Sequence, residues 1–401
     1  MLPLCGLRVL DLGRVVAGPF ATQLLGDLGA EILKIEMPGS GDESRRYGPS
    51  FLEEPDEKSI SGFFLAFNRN KKSISMNIAT EAGKEVILKL VKHCDVFIEN
   101  YKFGDLARRG LGYAEISAIN PGIVYCSITG FGQSGPYAAY PAVDVVFQAM
   151  SGLMSVTGEP DGPPQKVGIA IADIICGLYA ANAIQAALRA REINGGAGQY
   201  IDLALMDCAV AAMSYRAMDY FLTARAPMRS GNAAPGASPA QLFTCRDGLL
   251  NVQAYSDDQF RKLCEVVNRA DLLADPRFSQ ALVRHRNRAK LVPVLEALFA
   301  NDTVANWYAR LIAAGVICSP VYDLADTFRD PQVLARGSRT IMASASGRQA
   351  PTIRNPMRLS KTPIDQYVFP PELGQHTEAV LRCLLGLSDE EISQLRSDGA
   401  I

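Results

Sequence analysis

Short apolar runs alternate with helical periodicities through the first half of the chain. Arg8-Val-Leu-Asp-Leu12 reads as a strand, and the loop Gly13-Arg-Val-Val-Ala-Gly18 leads from it into a helical pattern that Pro19 opens and Leu24, Leu25 and Leu28 continue. Proline at the start and Gly29 just past the end fit the usual asymmetry of helix termini. Residues 30–36 read as the next strand, so this opening stretch predicts a βαβ unit. Further strands are predicted at 73–78, 95–99 and 123–129, with helices at 81–92 and 113–120 between them. Such alternation predicts an α/β fold, with an open and mostly parallel sheet covered on both faces.

A later stretch has a different pattern. Residues 167–172 read as the end of a buried segment, Asp173 follows, and a nearly all-apolar helical pattern runs on through Ile184, Leu188 and Ala190. A helix apolar on nearly every face predicts burial. Asp173 at that junction reads, on this stretch alone, as a helix N-cap, although a buried charge needs partners or a purpose. After residues 200–204 the chain changes character. A helix-like stretch covers 207–222, a Gly/Pro/Ala-rich loop covers 229–239, and Asp247-Gly248 marks the turn of a hairpin over 242–253. Helices at 257–267, 287–300 and 303–314 complete a second, smaller α+β domain. Ser388-Asp-Glu-Glu391 reads as the capping box of a terminal helix. The expected division is a large domain from 1–205 and 335–401, a linker helix at 206–225, the small domain at 226–325 and a linker at 326–334.

Composition narrows the function classes. The net charge of -2 over 401 residues leaves no electrostatic footprint for nucleic acid or an anionic membrane. No apolar run reads as long enough to span a bilayer, and residues 1–8 carry no leader pattern. A cytoplasmic protein, or the mature form of an organellar one, is the expectation. The 9 cysteines include no C-x-x-C and suit free thiols in a reducing compartment. Only His93, His285 and His376 are present, which poorly supplies a metal site or a Ser-His-Asp triad. Neither metal nor cofactor is expected, and carboxylates are left to do the acid–base and nucleophilic work. Gly130-Phe-Gly132-Gln-Ser-Gly135 matches a dinucleotide fingerprint, but Pro136 and Pro141 oppose the helix that this would need, so it reads as a loop. Gly83-Lys84 lacks the earlier glycine of a phosphate-binding P-loop.

Several longer motifs occur in one order: Arg8-Val-Leu-Asp-Leu, Ala17-Gly-Pro-Phe-Ala-Thr, the run from Leu25 to Glu36, Asn68-Arg-Asn-Lys-Lys-Ser73, Glu99-Asn100 ahead of Leu111-Gly-Tyr113, the run from Thr129 to Pro136, and Ala172-Asp173. In these the chain resembles the class III (CaiB/BaiF, formyl-CoA and carnitine type) coenzyme A transferases over essentially its whole length. Within that family it looks most like the succinyl-CoA:dicarboxylate transferases of the glutarate type. The resemblance implies a Rossmann-like large domain built from both chain ends, a smaller inserted domain, and an interlocked homodimer of two threaded chains. It implies Asp173 as the catalytic nucleophile and Asn100 and Arg108 as CoA contacts, with Lys72 and Arg45 bordering the nucleotide. Arg14 and Val16 lie in the loop that faces the acyl group in relatives, whereas Met37 stands where some members carry an arginine. Gly130, Gly132 and Gly231 are candidates to offer backbone N–H groups to oxyanions, and a helix start at Asp173 would keep its carboxylate ionised.

The implied substrates are a CoA ester, with succinyl-CoA as donor, and a short dicarboxylic acid. The alternative within the same fold is an α-methylacyl-CoA racemase. That chemistry wants a histidine directly before the aspartate equivalent to Asp144, where this chain has Val143. Taken without the motifs, Lys71 and Lys72 read as a solvated edge, Arg14 as a surface ion-pair partner, and Asp144 and His376 as structural helix-start residues.

Overall fold

A computed structural model of the chain describes residues 1–48, 52 and 60–401. Two compact units are formed, one from Met1–Leu153, Lys166–Met218 and Leu334–Ile401, the other from Met154–Gln165 and Asp219–Val333.

The first unit is built on six parallel strands: β1 (Arg8–Leu12), β2 (Glu31–Glu36), β3 (Lys71–Ser75), β4 (Val96–Glu99), β5 (Val124–Thr129) and β6 (Gln199–Ala204). Their order is β3-β2-β1-β4-β5-β6, the arrangement of doubly wound nucleotide-binding sheets. β1, β2, β4 and β5 are buried along nearly their whole length, as a parallel sheet covered on both faces requires. β6 escapes the sequence pattern because it is a partly exposed edge strand carrying Tyr200 and Asp202. β3 starts two residues earlier than expected. Its Lys71 is buried rather than part of a solvated edge, so the strand extends through a charged position.

The helices of this unit up to residue 212 are α1 (Ala17–Asp27), α2 (Gly62–Phe67), α3 (Glu81–Val91), α4 (Asp105–Arg108), α5 (Tyr113–Ile119), α6 (Asp144–Met150), α7 (Ile171–Ile193) and α8 (Leu205–Ala212). Alternate residues of each strand face opposite sides of the sheet. Val9, Ile32 and Val96 pack with Ala21, Leu25, Cys176 and Ile184 of α1 and α7. Leu10, Leu33 and Phe97 pack with Ile87, Ile116 and, from the chain end, Leu381 and Ile392. The expected capping box is present: the Glu391 N–H donates to Ser388 Oγ at 3.3 Å, and the Ser388 N–H to Glu391 Oε2 at 2.8 Å.

Three expectations need correction. Helix α1 opens at Ala17 with Val16 as its N-cap, so Pro19 lies inside the first turn rather than at its head. Helix α7 opens at Ile171 with Ala170 as its N-cap, and Asp173 therefore sits in the first turn and is not the cap. Nor is α7 buried all round, because Leu178 and Tyr179 are exposed, as is Ile169 ahead of it. At 23 residues α7 does reach the length and hydropathy of a bilayer-spanning helix. Here it packs against α1, β5 and β6, the place of a core helix.

The second unit carries a three-stranded antiparallel sheet of Ala240–Thr244, Leu249–Gln253 and Cys318–Pro320. The predicted hairpin turn is closed by the Cys245 N–H donating to Gly248 O at 2.8 Å. Helices Asp257–Val266, Arg288–Phe299 and Val304–Ala313 stand where the periodicity places them, around Phe243, Leu250, Phe260, Leu291 and Leu311.

Candidate active site

The strand order reverses between β1 and β4, and in open parallel sheets the crevice outside the carboxyl ends at such a point is where ligands bind. Leu12 leads there into the loop of residues 13–18, and Glu99 leads into Asn100. Asn100 fastens the loop: its Oδ1 accepts the Arg14 N–H at 2.8 Å and its Nδ2 donates to Arg14 O at 2.8 Å. The Arg14 guanidinium lies over the Tyr101 ring, 4.4 Å from its centre. It is not the partner of a surface carboxylate among the described residues, and a guanidinium fork can hold a carboxylate by two hydrogen bonds. Val16, buried at the head of α1, accepts the Phe20 N–H at 2.7 Å.

Val15 has φ +66°, a left-handed conformation that costs a β-branched residue strain. Buried charges hold it there. The Val15 N–H reaches the Asp42 carboxylate at 3.2 Å. Lys34 Nζ donates to Asp42 at 2.9 Å and to Gly13 O at 2.7 Å. Asp11 accepts the Gly13 N–H at 2.7 Å, Thr22 Oγ1 at 2.6 Å and Lys71 Nζ at 3.3 Å. Burial pushes the Asp42 carboxyl up, but the charge of Lys34 and bonds from Lys34 and Ser44 override it and hold the group well below the ordinary range. Burial likewise pulls the Lys71 ammonium down to about 8 against the attraction of Asp11. The loop's glycines are sterically required, since a Cβ on Gly13 would stand 2.8 Å from Asp11 Oδ1 and 3.0 Å from Gly18 Cα.

Asp173 lies half-buried in the first turn of α7. The free donors of that turn are already engaged. Asp144 Oδ1 accepts the Ala172 N–H at 2.8 Å and the Asp173 N–H at 3.3 Å, and the Ile171 N–H goes to Ile169 O at 2.8 Å. Asp144 is thus the first residue of α6 and, through its side chain, the cap of α7. Gln148 fixes this arrangement from α6, donating to Asp144 Oδ2 at 2.5 Å and accepting the Val167 N–H at 2.8 Å. The expectation that the helix start keeps Asp173 ionised fails for this reason. Burial, and then the Asp144 charge, push its carboxyl up to about 7. One turn on, a Cβ on Gly177 would stand 2.9 Å from Ala17 O, so this glycine permits the close approach of α7 to the start of α1. That approach sets Asp173 and the Arg14 loop at the starts of two helices in direct contact.

Residues 130–135 form a loop with no helix behind them before Asp144, as the prolines predicted. A Cβ on Gly130 would stand 2.9 Å from Phe147 Cζ. Gly132 has φ +88° and its N–H donates to Thr129 Oγ1 at 3.0 Å. Gly231 belongs to the second unit, where its N–H donates to Gly158 O at 3.0 Å. In this arrangement the N–H groups of Gly132 and Gly231 already have internal acceptors.

The remaining candidates separate. Arg108 is exposed in α4 and paired with Asp105 at 2.5 Å, on the segment that follows Asn100. Arg45 directs its fork inward to Glu36, with two bonds of 2.7 Å, and lies over the Phe64 ring. Lys72 sits near the amino end of β3, paired with Glu31 at 2.6 Å. There it lines a cavity of about 710 Å³ with Lys361 and His376, at the opposite strand ends from Asn100. A second cavity, about 800 Å³ and mostly apolar, is lined by Phe20, Leu24, Phe67, Ile174 and Leu178. Asp173 lines neither of these two cavities. Asp11, Lys34, Asp42 and Gln148 were not singled out from the sequence. Asp11 and Lys34 do leave a trace there, as charges with an apolar neighbour on each side inside their strands.

Residues 4–377 match the family model described as CoA-transferase family III. A succinate–glutarate CoA-transferase of Agrobacterium fabrum is 41% identical over 384 residues, covering 94% of this chain and 95% of its own. The succinyl-CoA:glutarate CoA-transferase of Mus musculus is 40% identical over 401 residues, covering 100% of this chain and 91% of its own. Among solved structures, a CAIB/BAIF family protein from Brucella suis superposes with a TM-score of 0.88 at 40% identity, covering 96% of this chain and 99% of its own.

Proposed function

The chain belongs to CoA-transferase family III, and from that premise we propose that it moves CoA from succinyl-CoA to a short dicarboxylic acid, glutarate first among them, by covalent exchange at Asp173. The observation that carries the chemistry is the half-buried Asp173 carboxyl in the first turn of α7, pushed up to about 7. A desolvated carboxylate is a better nucleophile than one held in ion pairs. The likeness to transferases named for succinyl-CoA and glutarate supports the substrate class.

In the proposed sequence a carboxylate oxygen of Asp173 bonds to the thioester carbonyl carbon as the C–S bond breaks, giving a mixed anhydride and the CoA thiolate. The thiolate attacks the aspartyl carbonyl of that anhydride, releasing succinate and leaving an aspartyl-CoA thioester. The acceptor carboxylate attacks this thioester, forming a second anhydride and freeing the thiolate again. Attack of the thiolate on the acceptor's acyl carbon then yields the new CoA ester and the original Asp173 carboxylate. No net proton and no nucleotide are consumed, because each step exchanges one activated acyl bond, thioester or anhydride, for another.

Arg14 is suited to hold the far carboxylate of a dicarboxylic acyl group, since its fork makes two hydrogen bonds and Asn100 fixes its backbone. Arg108 and the segment after Asn100 are assigned to the CoA side. Lys72 and Arg45 enter only through their ion pairs with Glu31 and Glu36. An interlocked homodimer is part of the same reading, and Tyr215, Phe221 and Leu222 are exposed apolar residues of the kind that an interface covers. The racemase alternative is disfavoured, because Val143 stands where a second proton carrier would be needed.

A matrix of acyl-CoA donors against free acids, read by mass spectrometry of the new thioesters, tests the proposal. Succinyl-CoA with glutarate should give glutaryl-CoA, and Asp173→Ala should abolish it while the protein stays folded. Full transfer by the Ala variant, or a preference for monocarboxylic acids in the parent protein, would refute the nucleophile or the substrate class respectively.

A further inference from the structure

Glu99 ends β4 directly before Asn100, is buried, and has no part in the exchange chemistry above. Its two oxygens point to two sides of the crevice. Oε2 accepts the Tyr101 N–H at 2.7 Å, and Tyr101 is the ring beneath the Arg14 guanidinium. Oε1 bonds to the Ser127 hydroxyl of β5, which also receives a hydrogen bond from Gln133 Nε2 at 2.9 Å. Gln133 lies within the glycine-rich loop, and its backbone N–H is held by the Asp202 carboxylate at 3.1 Å.

We propose that Glu99 is a positioning residue that ties the loop of residues 130–135 to the loop carrying Arg14, so that the two sides of the crevice keep one register during acyl transfer. A carboxyl placed only to finish a strand would need one partner. This one has two, Tyr101 two residues on and Ser127 28 residues away, and Ser127 passes the link on to Gln133. The groups around it are Tyr125, Ser127 and Cys126 from β5, Tyr200 from β6, Arg14 from the first loop, Tyr101 after β4 and Asp105 from α4. Burial pushes the Glu99 carboxyl up to about 7 against the bonds from Ser127 and Tyr101. A neutral amide can therefore stand in for it, with its oxygen accepting from Tyr101 and its nitrogen donating to Ser127.

The consequence for rate rests on the transferase reading, whereas the coupling itself can be measured without substrate. Hydrogen exchange by mass spectrometry on the full chain would compare the parent with Glu99→Gln, Glu99→Ala and Gln133→Ala. Losing these bonds should speed exchange in Glu99→Ala by roughly two- to tenfold in both residues 13–18 and 130–135. Glu99→Gln should stay within about twofold of the parent in both segments, the same scale of a net hydrogen bond retained. Gln133→Ala, which removes one side chain from the partly exposed loop, should speed 130–135 alone while β4 and β5 stay protected. In the transfer assay Glu99→Ala should lose between about ten- and a hundredfold in kcat, the scale of a small misplacement, and Glu99→Gln should restore it. The proposal is overturned if the Ala variant loosens only one segment or neither, or if the Gln variant is as loose as the Ala variant. Should Glu99→Ala fail to fold, unchanged exchange at 130–135 in Gln133→Ala overturns it instead.

Discussion

Asp173 and Asp144 are two carboxylates with unlike duties set by their surroundings. Asp144 is satisfied by N–H groups of α7 and by Gln148, whereas Asp173 is desolvated and faces the Asp144 charge. Only the ionised form of Asp173 can attack a thioester, so transfer by the unliganded enzyme should rise with pH toward a plateau above about 7. Asp144→Asn removes the like charge and keeps an oxygen for the α7 cap. The acid limb of kcat/KM should therefore move to lower pH, while the fold persists. An acid limb that stays in place in this variant would show that Asp144 does not act on Asp173 through its charge. At Val15 the residue scale shows strain instead: a left-handed valine persists because Asp42, Lys34 and Asp11 over-determine the loop around it.

Among elements, the contact of α1 with α7 sets the start of one helix, which carries Asp173, against the start of the other, which follows the Arg14 loop. Gly177 lets the two helices meet backbone to side chain, with Ala17 O and Phe20 Cδ1 at 2.9 and 3.0 Å from where a Cβ would stand. Gly177→Ala should improve helix propensity by about 1 kcal/mol yet force the helices apart at an overpacking cost of about 1–3 kcal/mol. The expected outcome is a lower melting temperature together with a larger loss in kcat than in KM, because Asp173 shifts relative to the Arg14 loop. A variant as stable and active as the parent would mean that the approach is not tight. Strand ends matter in the same way. Asn100 and Gly13 share the carboxyl edge of the sheet, whereas Lys72 stands near the amino end of β3, a separation that follows once the strands are known to be parallel and in register.

For the whole molecule, a carboxyl raised on folding makes stability depend on pH. Asp173 and Glu99 both rise to about 7, so between the ordinary carboxylate range and pH 7 the folded state binds more protons than the unfolded one. Their combined contribution favours folding at low pH and is lost as pH rises through 7. Asp173→Asn should raise the midpoint of urea unfolding at pH 8 more than at pH 5, leaving a residual slope from Glu99. An equal effect at both pH values would refute the raised value at Asp173. Much of the architecture was legible in the sequence: β1, β2, β4 and β5, the hairpin at Asp247-Gly248, the helices around Phe260, Leu291 and Leu311, and the Ser388 capping box. Each of these follows from periodicity or from partners within a few residues, which a linear reading can see, and the ordered motifs carried the family likeness. Tertiary structure alone decided that Asp11 and Lys71 meet across 60 positions and that Asp144 caps a helix 28 positions on. It also decided that Asn100 grips Arg14 from 86 positions away. A buried charge is tolerable only beside its partner, and where that partner comes from elsewhere in the chain, folding is what brings the two together.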